Sequence, residues 1–428
     1  MNVIRDLDPG NRSCQLHKNT AVSERLRVAA IPLVLSLAVG CAQEGVEGNA
    51  ASMGPEWQAH LETRIGSLDD PDQSLNTVGQ VMLGPAGKLF ISQPGDAEVR
   101  VYDVEGTLVR RIGRQGEGPG EFRQIGYAGL SGDTLYVTEA GRISFFSLDG
   151  DFLGSRTLTT ETIQRAEMTY APFAPQVFIP LSDGTALVKP GFFSSASPPS
   201  NAQGVNESQM RIPLYRTDSV SAVLDTVAWE ALGGRSVGVL RGGTLFHLIP
   251  PFDESPLVAP ALDGTGLVVV DRGPDTITRE AGFLVVGLNP DGDTLFSRRV
   301  PYDALAADEE YLRDHVRQTQ VVPRGQHGGL DFDAVERELR SAGVLPSLRV
   351  PVRALFVGQD GSIWLQRGDQ TNGSAVWQVL ARDGEDAGVV RLPRDAQVVA
   401  ASGETVVTVE LDEFEVPYVA RYRLHRDR

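Results

Sequence analysis

The sequence predicts an all-β protein, a six-bladed β-propeller with a small helical insertion between blades four and five. Three observations indicate this class. One pattern of short apolar segments recurs from residue 57 onward, which is typical of repeat architectures. Glycine-containing turns separate these segments at regular spacing, as in sheet proteins built from short strands. The 46 glycines and 26 prolines among 428 residues also suit a chain that turns often.

The repeat can be followed directly along the chain. A strand, a glycine turn and a second strand are followed by a third strand and another turn, in copies that begin near residues 81, 127, 177, 257, 353 and 396. Asp-Gly pairs fall at matching turns, with their aspartates at positions 149, 183, 263, 291, 360 and 383. Turns of this kind need left-handed backbone, which glycine adopts without steric cost. We therefore expect each of these glycines to have a positive φ.

The sixth copy lacks a fourth strand. Residues 60–66 (HLETRIG) resemble the outer strand of the first copy at 109–113 (VRRIG). The first strand of the domain is therefore predicted to complete the last blade and close the ring. Closure would remove the exposed sheet edges that an open array would have to protect.

Residues 1–40 are predicted to be a lipoprotein signal peptide. Arg25 and Arg27 precede an apolar run of 13 residues, 28–40, a length typical of export signals and too short to span a bilayer comfortably. The run ends in LAVGC, and small residues before Cys41 resemble the bacterial lipobox. The resemblance implies cleavage before Cys41 and acylation of its thiol. An ordinary signal peptide with an incidental cysteine is the alternative.

Residues 41–56 are small and polar and are predicted to form a flexible tether, followed by the propeller at 57–428. The expected location is the bacterial cell envelope, with the protein held by lipid on the outer membrane or periplasmic face. The net charge of −17 argues against a nucleic-acid partner. Both cysteines, Cys14 and Cys41, precede the propeller, so no disulfide or thiol chemistry is expected within it.

The segment 111–122 (RIGRQGEGPGEF) resembles the inter-blade signature of bacterial six-bladed propeller lipoproteins related to NHL repeats. Segments 360–365 (DGSIWL) and 416–424 (VPYVARYRL) are similar to the closing blades of that family. The resemblance covers about residues 57–426. It implies the fold and leaves the ligand open, because one fold hosts many functions.

Large insertions are predicted to lie on one face of the propeller. They occur between blades or between second and third strands, at 114–125, 159–176, 190–210, 233–254 and 303–350. Long loops on one side of a rigid scaffold commonly carry binding sites.

The last insertion has helical periodicity. One helix is predicted over 304–319 with Leu305, Leu312 and Val316 on one face, and another over 332–342 with Phe332, Val335 and Leu339 on one face and Gly343 as its stop. These helices would form either a lid over the channel mouth or a structural plug against a blade.

Polar residues recur where each second strand reaches the loop-bearing face. They are Gln93, Glu139, Lys189, Asp271, Arg272, Gln366, Arg367 and Glu410. Mixed charges converging at one mouth would suit a sugar, a peptide or an organic acid. The alternative is that these residues are solvated strand ends.

Several kinds of chemistry are disfavoured by the sequence. The glycines of 113–120 lack the Lys-Ser/Thr pair that follows them in phosphate-binding loops. Histidines after the signal form no close ligand pair, and only two share an insertion; they are His60, His247, His315, His327 and His425. Calcium-dependent lactonases of this fold use channel Glu, Asn and Asp, and here Glu139 and Asp271 could contribute while no Asn lies at a matching strand end.

The leading hypothesis is therefore a non-enzymatic binding or scaffold protein of the envelope, with no cofactor. Its partner would be the membrane, through the lipid, together with an envelope protein, a peptide or a polar small molecule. The alternative is a metal-dependent hydrolase or lyase of the lactonase kind.

Overall fold

The structure is a computed structural model that is almost entirely β in the part of the chain it describes. It describes residues 53–139, 142–157, 177–181, 183–189, 205–206, 211–218, 223–231, 236–241, 244–248, 256–272, 282–303, 305–312, 332–341, 343, 345, 348–368 and 373–426.

The elements follow in chain order. In the first half they are β1 (Glu56–Ile65), β2 (Val81–Leu83), β3 (Leu89–Gln93), β4 (Glu98–Tyr102), β5 (Leu108–Ile112), β6 (Tyr127–Ser131), β7 (Thr134–Glu139), β8 (Arg142–Ser147), β9 (Phe152–Thr157), β10 (Val177–Pro180), β11 (Ala186–Lys189), β12 (Val205–Asn206), β13 (Arg211–Thr217) and β14 (Val223–Ala231). In the second half they are β15 (Ser236–Arg241), β16 (Thr244–Leu248), β17 (Leu257–Pro260), β18 (Leu267–Asp271), β19 (Phe283–Leu288), β20 (Thr294–Val300), the helix α1 (Phe332–Ser341), β21 (Val352–Val357), β22 (Ile363–Arg367), β23 (Ser374–Leu380), β24 (Asp386–Pro393), β25 (Gln397–Ser402), β26 (Thr405–Leu411) and β27 (Pro417–Arg426).

Six four-stranded antiparallel blades can be traced through the described ranges. Blades one to five are β2–β5, β6–β9, β10-β11-β13-β14, β17–β20 and β21–β24, and blade six is β25–β27 with β1 as its outer strand. Strand order follows chain order in the first five, so each is a simple meander. The predicted six-bladed propeller is confirmed.

Blade six is closed by the first strand of the domain. β1 pairs antiparallel with β27, from Trp57 opposite Arg426 to Ile65 opposite Val419. The start of β1 also pairs in parallel with β24 of blade five, Glu56 with Val389, which joins blades five and six into one eight-stranded sheet. The predicted closure is confirmed, and it is supported on both sides of β1.

Apolar side chains fill the seams between blades. Strand alternation sends successive side chains to opposite neighbours. In β22, Leu365 packs in the seam with blade four while Trp364 packs in the seam with blade six. Trp364 and Trp377 are almost fully buried in that second seam, and burial of a large apolar side chain contributes about 1.5–3 kcal/mol. The core is therefore a circle of inter-blade clusters.

The turns confirm the predicted backbone conformation. The glycines of all six Asp-Gly pairs have φ between 73° and 88°: Gly150, Gly184, Gly264, Gly292, Gly361 and Gly384. At Gly264 a Cβ atom would also lie 2.8 Å from the backbone oxygen of Pro180. Any larger residue there would be strained by both its backbone and its neighbour.

The propeller has two unlike faces. One side is called the loop-rich face. On this side the second strand of each blade ends and the chain passes from one blade to the next. We call the opposite side, where first strands meet second strands and third meet fourth, the short-turn face. Turns on the short-turn face include 84–88, 103–107, 358–362 and 381–385. Each predicted insertion begins and ends beside strand ends that lie on the loop-rich face.

Two of the insertions contain strands that pair with each other. β12 lies between the second and third strands of blade three, and β15 and β16 lie between blades three and four. Val205 pairs with Val237, and β15 pairs with β16 in a hairpin. The result is a separate three-stranded sheet. α1, from the insertion between blades four and five, contacts β15. We call β12, β15, β16 and α1 together the cap.

The predicted helices agree with the structure only in part. α1 covers the second predicted helix, Leu339 is fully buried, and Gly343 beyond it has φ 65°. The first prediction placed its helix start too early, because residues 305–308 are not helical and Leu305 is exposed. Ala306 instead forms a β-bridge with Leu348. Helical backbone begins at 309, and Val316 lies outside the described residues.

Candidate functional site

The polar residues predicted from the repeat occupy equivalent positions. Each lies at, or within one residue of, the end of the second strand of its blade, on the loop-rich face: Gln93, Glu139, Lys189, Asp271, Arg272, Gln366, Arg367 and Glu410. The repeat was therefore aligned correctly at this edge of all six blades.

Convergence of these side chains on one mouth stays a prediction, and the strand in which each residue lies indicates the neighbouring blade that its side chain faces. Strand alternation decides the direction. Five continue an apolar row that packs on the preceding blade: Gln93, Glu139, Asp271, Arg367 and Glu410. Lys189, Arg272 and Gln366 continue rows that face the following blade. A shared strand end thus does not give a shared side-chain direction, and their role in ligand binding stays a prediction.

Glu410 is the most enclosed carboxylate of this set. Only 4% of the residue is exposed. Its Oε1 accepts hydrogen bonds from the hydroxyls of Thr408 at 2.6 Å and Tyr422 at 2.8 Å, and its Oε2 accepts one from Tyr418 at 2.6 Å. Burial, followed by the bond to Glu410, raises the pKa of Tyr418 to about 12 and raises that of Tyr422 as well. The cluster is a buried polar network inside blade six.

Glu139 ties the first inter-blade loop to blade two. Its Oε1 lies 2.7 Å from a guanidinium nitrogen of Arg142, and its Oε2 accepts a hydrogen bond from the backbone N–H of Arg123 at 3.1 Å. Both oxygens are thus used within the protein.

Two arginines join blades four and five. Arg272 donates to the backbone oxygen of Val352 at 2.7 Å. Arg367 donates to Oε1 of Gln378 at 2.6 Å and to the backbone oxygen of Pro301 at 3.1 Å. Charge-assisted bonds of this kind are the stronger class of hydrogen bond. These two predicted site residues therefore link blades four and five by hydrogen bonds.

The other four predicted site residues differ in burial and in their contacts. Gln93 is fully buried, and its Oε1 has no hydrogen-bond partner among the described residues. Lys189, Asp271 and Gln366 are half-buried at the rim of their seams, and both Lys189 and Asp271 have interaction partners.

The glycine-rich loop after blade one is a structured turn. Oε2 of Glu121 accepts a hydrogen bond from the backbone N–H of Gly118 at 2.9 Å, and this bond, followed by Arg114, lowers the pKa of Glu121. Gly113 has φ 82°, and a Cβ atom there would meet the ring of Phe122 at 2.2 Å. The glycines serve turn geometry and close packing, as the sequence suggested.

One histidine pair was missed by sequence reasoning. His60 and His425 have ring centroids 4.9 Å apart, although 365 positions separate them in the chain. The contact arises because β1 and β27 are paired by ring closure. Both side chains are exposed, and the described residues contain no group of three or more His, Cys, Asp or Glu arranged to hold a metal. No described helix is long and apolar enough to cross a membrane.

Comparison with known proteins agrees with the architecture. Residues 68–177, which hold blades one and two, match a family model described as a 6-bladed beta-propeller. A search of curated proteins found no match to the chain.

Similar solved structures span almost the full length of their own chains. A Bacteroides fragilis protein described as exported is 11% identical, with 90% of this chain and 98% of that chain covered and a TM-score of 0.42. A DUF4221 family member from Bacteroides vulgatus is 10% identical, with 87% and 99% covered and a TM-score of 0.45. A gluconolactonase from Xanthomonas campestris is 13% identical, with 88% and 99% covered and a TM-score of 0.39.

The six blades and the family match across the first two blades both indicate the same fold. The resemblance to bacterial propellers is confirmed for the fold, and the chain is a six-bladed β-propeller.

Proposed function

We propose that the protein is a lipid-anchored binding or scaffold protein of the cell envelope that recognises its ligand with the cap on the loop-rich face. The cap supports the assignment of a binding surface. Strands from two separate connections pair with each other, and a helix from a third contacts them. Insertions that meet over one face of a rigid scaffold form the kind of surface on which binding residues concentrate.

The blades supply rigidity beneath the cap. Arg272 and Arg367 fasten blades four and five together, on either side of the chain segment that leads to α1. Arg349, where that segment returns, accepts a hydrogen bond at its backbone oxygen from Tyr302 and lies 2.6 Å from a carboxylate oxygen of Asp308. The insertion is therefore held at its base, and a surface held in this way loses little conformational entropy when a ligand binds.

The anchor is supported by the LAVGC sequence at 37–41 and by the short apolar run before it. Two or more acyl chains on Cys41 would hold the protein on a membrane, since each buried methylene contributes about 0.8 kcal/mol. The ligand class is a polar one, an envelope protein, a peptide or a small polar molecule, because the strongly negative chain disfavours phosphate-rich polymers.

A thermal-shift comparison tests the binding surface. The intact protein and a variant in which 233–254 is replaced by a short Gly-Ser linker are screened with peptidoglycan fragments, oligosaccharides and short peptides. A ligand that binds only the folded state raises the melting temperature. We expect such a compound to stabilise the intact protein and not the variant. Equal stabilisation of both would place binding away from the cap and contradict the proposal.

A further inference from the structure

We infer that the short-turn face is turned toward the anchoring membrane and contacts it through a rim of bulge-presented apolar side chains, so that the cap points into the aqueous compartment. The inference rests on the proposed lipid anchor at Cys41. Two separate features of the described residues carry it, namely the place where the chain enters the propeller and a repeated irregularity in the outer strands.

The chain enters the propeller at the short-turn face. The backbone oxygen of Pro55 accepts a hydrogen bond from the N–H of Val389 at 2.9 Å, and the N–H of Gly54 donates to Asp386 at 3.3 Å. Both partners belong to β24, immediately after the short turn 381–385. The entry point is therefore fixed at the junction of blades five and six, on the face opposite the cap.

The length of the tether favours one orientation. The 15 residue spacings from Cys41 to Glu56 reach about 50 Å at full extension and about 20 Å on average for a flexible chain. β27, beside which β1 runs, has 10 residues and is about 33 Å long. Turning the loop-rich face to the membrane would require the tether to run back along this edge and past the cap. Turning the short-turn face to the membrane requires no such path.

The outer strands repeat one irregularity close to this face. In blade two, Phe146 pairs with Phe152 and Phe145 with Gly154, which leaves Leu153 as a bulged residue. The same register shift occurs at the second residue of the fourth strand in the other meander blades, at Val109, Leu224, Leu295 and Ala387. A bulge re-aims a side chain and twists the strand.

In blades one to four the bulged residue is a large aliphatic side chain exposed to solvent. The exposed fractions are 49% for Val109, 60% for Leu153, 54% for Leu224 and 63% for Leu295. We call these four residues the apolar rim. Single exposed apolar residues need no explanation, but the same structural position in four successive blades forms a set. The tether enters at blades five and six, so anchor and rim together surround the short-turn face.

Acidic residues limit how closely the face approaches lipid. Turns between third and fourth strands carry pairs of carboxylates, next to the rim at Asp103 and Glu105, Asp149 and Asp151, and Asp291 and Asp293, and in blade five at Asp383 and Glu385. Anionic headgroups repel such turns over about a Debye length. We therefore expect the face to lie closer to a zwitterionic membrane than to an anionic one, with the same orientation on both.

The orientation is tested by lipid-headgroup quenching. The acylated protein is purified from membranes with a single added cysteine, Glu105→Cys on the short-turn face or Glu413→Cys on the loop-rich face. Both glutamates are exposed residues of short turns. Each variant is labelled with a fluorophore and placed in phosphatidylcholine vesicles that contain a headgroup quencher. We expect the label at position 105 to be quenched several-fold more strongly. Equal quenching, or stronger quenching at 413, would overturn the inference.

The rim is tested in the same assay. The double variant Leu153→Ser, Leu295→Ser should weaken quenching at position 105, while the control Leu411→Ser, Phe414→Ser on the loop-rich face should leave it unchanged. Unchanged quenching in the first variant would show that the rim does not contact the membrane. Mass spectrometry of the purified protein separates the two proposals. Missing acylation overturns both this inference and the proposed anchor, whereas an acylated protein with the wrong quenching pattern overturns the orientation alone.

Discussion

The side-chain amide of Gln359 in blade five donates a hydrogen bond to the backbone oxygen of Leu83 in blade one, at 3.0 Å. The bond passes blade six and joins two blades that are not neighbours in the ring. The backbone N–H of Gln359 also donates to the backbone oxygen of Ala401 in blade six, at 2.9 Å. One residue on the short-turn face therefore links three blades at the point where the ring is closed.

Gln359→Ala should lower the free energy of unfolding by about 1 kcal/mol, since a typical intramolecular hydrogen bond contributes about that much. Urea denaturation followed by intrinsic fluorescence measures the change. Gln397→Ala provides the control, because Gln397 is an exposed glutamine of blade six. A loss no larger than that of the control would show that the Gln359 side chain adds nothing to the stability of the closed ring.

Deletion of residues 53–65 should leave a protein that is not stably folded and shows no cooperative unfolding transition on heating. The deletion removes β1, exposes the edges of both β27 and β24, and takes Trp57 from a seam in which it is 4% exposed. Truncation of a buried tryptophan alone costs about 3–5 kcal/mol. Calorimetry of the variant checks this, with Leu61→Ser as the control because Leu61 is exposed within the same strand. A sharp transition at the parental temperature would contradict the closure.

Glu410→Gln should destabilise the protein by about 1–3 kcal/mol, the range for leaving a buried polar group unsatisfied. A carboxylate accepts all three hydroxyl protons in this cluster, whereas an amide nitrogen accepts none. The amide nitrogen would take the place either of the oxygen that accepts from Tyr418 or of the oxygen that accepts from both Thr408 and Tyr422, so one or two hydroxyls would face a donor. The exposed Glu413→Gln is the matched control. Equal melting temperatures for the two variants would show that the network contributes nothing to stability.

Stability should fall as the pH rises from about 10 toward 12. The pKa of Tyr418 is raised to about 12 by burial and by Glu410, and burial raises that of Tyr127 to about 12. Because the folded pKa lies above the unfolded one, the contribution is complete below pH 10 and is lost as the pH passes the folded value. Melting curves across this range measure the loss. In Tyr418→Phe the decline should be shallower, and an unchanged slope would contradict the assignment.

The sequence predicted the parts of the fold that local chemistry decides. Short-range patterns predict the strand repeat, the glycine turns such as Gly361, and the strand at 60–66 that completes blade six. The strand β12 was missed because it pairs with a segment 30 residues away, and no local pattern identifies such a partner. The pair β15 and β16 is a local hairpin that the sequence analysis overlooked.

The positions of the candidate site residues at their strand ends follow from the repeat, whereas the direction of each side chain does not. Glu410 and Gln366 lie at equivalent strand ends but differ by one step in strand alternation, so one faces the preceding blade and the other the following blade. Pairing irregularities also escape sequence patterns. The bulges that expose Leu153 and Leu295 become visible only in the strand register.

Ligand recognition at the cap can be tested by photo-crosslinking in intact cells. A photoreactive amino acid replaces Arg337, an exposed residue of α1, and in a separate strain replaces Glu105 on the short-turn face. We expect a discrete crosslinked species from position 337 and, from position 105, adducts to lipid alone. Crosslinking confined to position 105, or absent from both, would contradict recognition at the cap.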